Sequence, residues 1–267
     1  MGVTHQGLFG PGSLSWRIDR EVVVLGGGSC ALLMQIAHPA VAAGVAQHST
    51  FQEDPFGRLR RTLSTSFDLV FGTPRQAQRS IERVNAIHRS VRGTIPETGE
   101  PYSALDPRAL LWVHATLVDT ALRVYDRFVS ALSPEEAETY YRECRAVAFA
   151  FGVPEPLVPD TLPALREWMS EAVATGEIRV TQTARSLAQS VLYPTSFPPR
   201  FVWDLAHLAS ISTLPAELRR QFGLPWSPAR ERAVDRTAAI SRRVLPFVPP
   251  PLRFVPHARR ADRRAAA

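Results

Sequence analysis

Five times along this chain a residue that caps helices stands directly before a proline: Asp54-Pro55, Thr73-Pro74, Asp106-Pro107, Ser133-Pro134 and Ser227-Pro228. The pair is a start signal with a mechanism. A short, oxygen-bearing side chain accepts from the free amides of a first helical turn, and proline fits that turn because its missing N–H had no partner to lose. Ser133 also has Glu136 three residues on, the spacing of a capping box. After these starts the apolar residues recur at helical spacing. Leu59, Leu63, Phe67 and Val70 form one stripe within 54–72, and Leu110, Leu117, Ala121 and Val124 form another within 106–131. The same reading predicts helices near 74–92, 134–150, 161–174, 181–193, 200–213 and 228–245, with Gly72, Gly93 and Gly152 as stops. Alternation of the kind a strand needs is scarce, and its best example, Ile178 to Thr181, is short. The expected class is therefore all-α, a single compact multi-helix bundle over residues 15–245 followed by a Pro/Arg-rich tail, 246–267. Residues 1–14 and 257–267 are expected to be loose ends.

Composition narrows the chemistry. With 267 residues, 45% hydrophobic and 21% charged, the chain can bury a sizeable core. It contains no lysine, so all 31 of its Lys+Arg residues are arginine. That removes Schiff-base catalysis, a phosphate-loop lysine and an amine metal ligand, because arginine stays protonated. The net charge of +6 raises nucleic acid, a membrane surface or anionic ligands as partners, but the arginines are scattered among 25 acidic residues and crowd only in the tail from Arg253 to Arg264. Cys30 and Cys144 stand far apart and read as buried small hydrophobes in a reducing, cytoplasmic setting. The start of the chain shows no basic-then-apolar secretory pattern. Val22 to Ala46 carries no formal charge and is long enough to span a bilayer, yet it contains Gly26, Gly27, Gly28, Gln35, His38 and Pro39. It reads as two buried segments joined at His38-Pro39, with no membrane span.

Several sites are excluded by their missing motifs. There is no G-x-S-x-G and no H-E-x-x-H. Gly26-Gly27-Gly28 follows the apolar run Val22 to Leu25 without the G-x-G-x-x-G spacing of a dinucleotide turn, so a turn or close helix packing is the better role. A di-iron bundle would need Glu-x-x-His twice, and only Asp204-x-x-His207 comes near. What remains is His114, in the middle of PRALLWVHATLVD. Leu110, Leu111, Leu117 and Val118 lie three and four residues away, so its ring points from an apolar stripe toward the core. It is either a buried histidine satisfied by one partner or a metal or haem ligand held in an apolar pocket. Arg58, Arg61, Thr62 and Thr65 share one face of the earlier helix. That face is either solvated or turns two guanidinium groups and a hydroxyl toward a pocket, where arginine suits propionates and other carboxylates. Asp119 points off the His114 face and is expected to pair with an arginine on a neighbouring helix.

Three blocks then carry a resemblance. LLMQIAHPAVAAGVAQHSTFQEDPFGRLRRTLSTSFDLVFG, VNAIHRSVRG (84–93) and WVHATLVDTALRVYDRF (112–128) resemble, in order, the blocks of the family that includes the oxygenase mpaB and the latex-clearing rubber oxygenases. The resemblance covers about residues 15–245. It implies an all-helical, globin-like core, a b-type haem, dioxygen or peroxide as co-reactant and a small apolar, unsaturated substrate. It implies proximal iron ligation by His114. Where rubber oxygenases carry Arg-x-x-Lys-Thr, this chain reads Arg58-x-x-Arg61-Thr62. The lysine of that motif can cap the iron, and Arg61 cannot. The distal position is therefore left to water, oxygen, Thr62 or a second histidine, and rubber cleavage itself is put in doubt. The resemblance leaves Arg58 and Arg61 to hold a propionate or polarise substrate, Thr62 to bond the oxygen species, and His38, His48 and His88 as secondary cofactor contacts. The rival reading is a non-enzymatic basic helical module that binds nucleic acid or a protein partner through its arginines, although no nucleic-acid-binding motif is present.

Overall fold

The computed structural model describes residues 8–49, 55–195 and 199–266, with side chains at all of these positions except 55, 56, 58, 59, 201, 202, 205 and 206. In chain order the elements are α1 (Leu14–Asp19), α2 (Gly28–Ile36), α3 (Pro39–His48), α4 (Pro55–Phe71), α5 (Pro74–Ser90), β1 (Arg92–Thr94), β2 (Pro101–Ser103), α6 (Pro107–Phe128), α7 (Pro134–Ala150) and α8 (Leu162–Ala174). There follow α9 (Gln182–Leu192), α10 (Arg200–Ser212), α11 (Ala216–Gln221), α12 (Pro228–Val244), α13 (Pro250–Arg253) and α14 (Pro256–Ala265). The all-α expectation holds. Four of the five predicted starts are built as capped turns. Thr73 and Ser133 form capping boxes with Gln76 and Glu136, Asp106 accepts from the amides of Arg108 and Ala109, and Ser227 accepts from the amide of Arg230. Asp54, the expected cap of α4, lies outside the described residues. Gly152 ends α7 at φ +91°, a conformation that favours glycine.

Helix α6 is the axis of the molecule. Leu111, Trp112, Ala115, Val118, Leu122 and Tyr125 are buried along it and join one core cluster with residues of α2, α7, α8 and α9. Burying side chains of this size stabilises the fold by about 1.5–3 kcal/mol each. The indole N–H of Trp112 donates to the carbonyl of Met34 at 2.8 Å and fixes α6 against α2. Gly27, in a 3-10 turn over Val22–Gly27, is the one member of the glycine run that packing requires: a Cβ there would meet Thr120 Cγ2 at 2.7 Å and Val124 Cγ2 at 2.9 Å, whereas one on Gly26 or Gly28 would meet nothing within 4 Å. Close packing on α6, not a nucleotide turn, is its role. Gly27→Val is expected to cost about 1–3 kcal/mol through overpacking, read as a lowered urea midpoint with unchanged helical circular dichroism.

Two expectations are corrected. Gly93 does not stop a helix: α5 ends at Ser90, and Gly93 lies in β1, which pairs antiparallel with β2 through Arg92–Ser103, Gly93–Tyr102 and Thr94–Pro101. The short alternation from Ile178 to Thr181 forms the link before α9, in keeping with the all-α reading. The end of the chain is not loose. Helix α14 lays Ala258 and Ala261, with Val255 before it, against Trp16, Phe67, Val70 and Phe71. Asp262 accepts from the Trp16 indole at 3.1 Å and pairs with Arg20 at 2.6 Å. Small residues at a spacing of three let this arginine-rich helix approach closely, which its composition concealed.

No single described helix is long and apolar enough to cross a membrane. The uncharged stretch noted above is bent by 105° between Val22–Ile36 and Pro39–His48. Much of it is core, with Cys30, Leu33, Met34, Ile36, Ala37 and Ala42 buried.

Candidate functional site

His114 sits near the middle of α6 and is 8% exposed. Its Nε2 is fully buried and has no hydrogen-bond partner. Burial pushes its pKa down to about 4, so the ring is neutral at pH 7 and carries a free lone pair. A buried polar atom without a partner costs about 1–3 kcal/mol, and such an atom in a folded protein calls for an explanation. The surroundings are apolar. Leu111 and Val118 are buried, while on the other flank Leu110 and Val113 are half-buried and Leu117 is 43% exposed. The stripe predicted to be core therefore reaches solvent one turn beyond His114, leaving an accessible apolar strip beside the imidazole.

The other histidines have different surroundings. His38 caps α3, its Nδ1 accepting from the amide of Ala40 at 3.2 Å, so in the neutral ring the proton sits on Nε2. Burial lowers its pKa. His48, exposed at the end of α3, donates from Nε2 to the Arg92 carbonyl at 3.1 Å and ties α3 to the hairpin. His88 is half-buried in the last turn of α5, with Nδ1 buried and unpartnered and its pKa lowered by burial. His257 is also half-buried and leaves Nδ1 unpartnered, but its ring stacks on Phe67 at 4.7 Å. Sequence reasoning passed over the surroundings of His207. Its Nδ1 accepts from the Ser29 hydroxyl at 2.9 Å and its Nε2 donates to the Leu192 carbonyl at 2.9 Å. Asp204 takes the Tyr193 hydroxyl at 2.6 Å, so the Asp204-x-x-His207 pair is spent on structure. Among the described residues no group of three His, Cys, Asp or Glu side chains converges to hold a bare metal ion.

The polar face of α4 is turned mostly to solvent. Arg61 and Thr62 are exposed, Thr65 is half-buried, and α4 packs mainly on α1, α5 and α14. The Arg58 side chain lies outside the described residues. Asp119 behaves as expected and more: 4% exposed, it takes Arg166 of α8 at 2.8 Å and also Arg123 of its own helix at 2.5 Å. These arginines, with Asp126, Glu135, Glu138 and Arg142, rim an open surface cleft of about 760 Å³ between α6, α7 and α8, whose lining also includes Leu122, Leu132 and Leu162. His114 is not among the residues that line it.

Fold and site together define a helical-bundle protein whose central helix carries one neutral, buried imidazole with no hydrogen-bond partner at Nε2. Residues 16–243 match the family model described as ER-bound oxygenase mpaB/B'/rubber oxygenase, catalytic domain, and the chain belongs to that family. It is also 26% identical over 227 residues to the uncharacterized protein Rv2237 of Mycobacterium tuberculosis and to the uncharacterized protein Mb2261 of Mycobacterium bovis. The alignments cover 82% of this chain and 87% of each relative. No solved structure matches.

Proposed function

We propose that the chain is a haem b-dependent oxygenase or oxidoreductase that acts on a small apolar, unsaturated molecule, with His114 as the proximal iron ligand. The observation that carries this is the buried, partnerless Nε2 of His114. A bare ion would need three or four protein ligands, whereas haem would bring its own four nitrogens and could be held by one imidazole from the chain, His114. When bound, haem b supplies redox chemistry with dioxygen or peroxide. The chain supplies the rest. Helix α6 holds His114 in one orientation, and its low pKa keeps the ring unprotonated and ready to ligate across the physiological range. Leu110, Val113 and Leu117 offer the apolar surface on which a flat ring or an apolar substrate can lie. Because Nε2 is sealed, admitting a ring requires the side chains over it to move. Arg58 and Arg61 are proposed as partners for propionates at the solvent edge, and Thr62 as a hydroxyl donor near the reacting molecule. His38, His48 and His88 remain secondary contacts. His38 and His48 could ligate iron through the nitrogen they now use only by giving up a backbone hydrogen bond. Two free, buried cysteines fit a reducing, cytoplasmic setting.

The test is substrate-dependent oxygen uptake by the haem-loaded protein, measured with unsaturated apolar compounds and paired with analysis for oxygenated products. Uptake and product are expected with the wild-type chain and are expected to fall to background in His114→Ala. Wild-type turnover in that variant would remove His114 from the reaction.

A further inference from the structure

The three most exposed large hydrophobic side chains among the described residues are Phe247 at 84%, Leu252 at 72% and Ile240 at 64%. All three fall in one short stretch, with Val244 exposed between them. Single exposed apolar residues are ordinary, but several so exposed and so close in sequence are not. On α12 the inward face is set by Val234 and Ala238, both buried, and by Ser241, whose hydroxyl donates to the Phe128 carbonyl. Ile240 and Val244 stand on the opposite face, and Phe247 continues it one turn on. Pro246, Pro249, Pro250 and Pro251 fix the backbone between α12 and the end of α13, and Arg253 clips it by donating from Nη1 to the Leu245 carbonyl at 3.4 Å. Leu245 points in while Phe247 points out, so the exposed tips are held outward by stiff chain.

The charge around these tips has one sign. Arg232, Arg236 and Arg243 are exposed on the same face of α12, and no ion pair among the described residues takes any of them. The acids of this helix lie on its flank, where Glu231 and Asp235 are both held by Arg127 of α6 at 2.5 and 2.7 Å. Apolar tips ringed by unpaired arginines match the boundary of a bilayer that carries anionic lipid: the tips enter the acyl region and the guanidinium groups meet the headgroups.

We propose that the face formed by α12, α13 and the turn between them docks the protein peripherally on membranes containing anionic lipid. The docking is independent of haem and of His114. In cosedimentation, the wild-type chain is expected to bind phosphatidylcholine vesicles that contain phosphatidylglycerol, to bind pure phosphatidylcholine weakly, and to lose binding as salt is added. Phe247→Asp with Leu252→Asp is expected to abolish binding while leaving helical circular dichroism unchanged, since both side chains are exposed. Arg232→Gln with Arg236→Gln and Arg243→Gln is expected to lower the partition coefficient about a hundred-fold, at roughly five-fold per arginine. The proposal is overturned if wild type binds neither vesicle type, or if the aspartate pair leaves binding intact. It is also overturned if the pair instead breaks a dimer detected by sedimentation equilibrium, which would assign the face to a second copy of the chain.

Discussion

Arg253→Ala is expected to destabilise the protein by about 3–5 kcal/mol, the cost of leaving a buried charge without its partner. The buried charge is Glu21, 2% exposed, at the junction between α1 and the following turn. Arg253 meets it as a fork, with Nε 3.0 Å from both carboxylate oxygens and Nη2 2.7 Å from one of them. No other arginine among the described residues pairs with it. The pair also carries topology, because Glu21 bridges Phe254 across the backbone and the amide of Val255 donates to the Arg20 carbonyl at 2.8 Å. Losing the arginine should therefore loosen α14 as well. For a domain stable by about 5–15 kcal/mol this is a large fraction, visible as a fall in Tm of about 10 °C. Replacing both residues, as Glu21→Leu with Arg253→Leu, should recover most of the loss, since no charge is then stranded. A single variant that melts like wild type would mean that Glu21 reaches water and that the tail is not tied down here.

His114→Leu is expected to do the reverse and raise the stability of the haem-free protein by about 1–3 kcal/mol, because it removes a buried polar atom that has no partner. A histidine kept for structure predicts a loss instead. The pH dependence makes the distinction sharper. The folded ring titrates at about 4 and an unfolded histidine near 6.5. Between those values the unfolded chain takes up a proton that the folded chain refuses, so stability is full above the unfolded value and is lost as pH falls toward the folded one. The loss approaches about 3 kcal/mol for this group at the lower end of the window. Urea midpoints of wild type and His114→Leu should therefore diverge steadily on acidification through that window. Parallel curves would show that the ring finds a partner in the folded state.

Helix starts were legible because the chemistry that makes them is local: Thr73, Asp106, Ser133 and Ser227 each meet amides within three residues. His38-Pro39 has the same form, and reading it as a cap would have assigned that ring a structural bond from sequence alone. The hairpin was not legible, since three-residue strands give alternation no room to appear. Nor was the docking of α14, whose inward residues after Val255 are alanines among arginines. At the site, the burial of His114 followed from Leu111 and Val118. That its Nε2 would meet no partner did not, because any partner would have come from elements distant in sequence. The shared face of Arg61 and Thr62 was legible, but that it would be left exposed while the other side of α4 packs on α1, α5 and α14 is decided by packing.

The proposed function rests on the partnerless Nε2 of His114 holding the iron of a bound haem. Its most direct test is an absorption-monitored titration of haem into wild type and His114→Gly, the latter with and without added imidazole. A saturable Soret band is expected in wild type, a shifted or absent band in the glycine variant, and recovery of the wild-type spectrum when imidazole fills the space. Identical spectra and affinities for the two proteins without imidazole would contradict it.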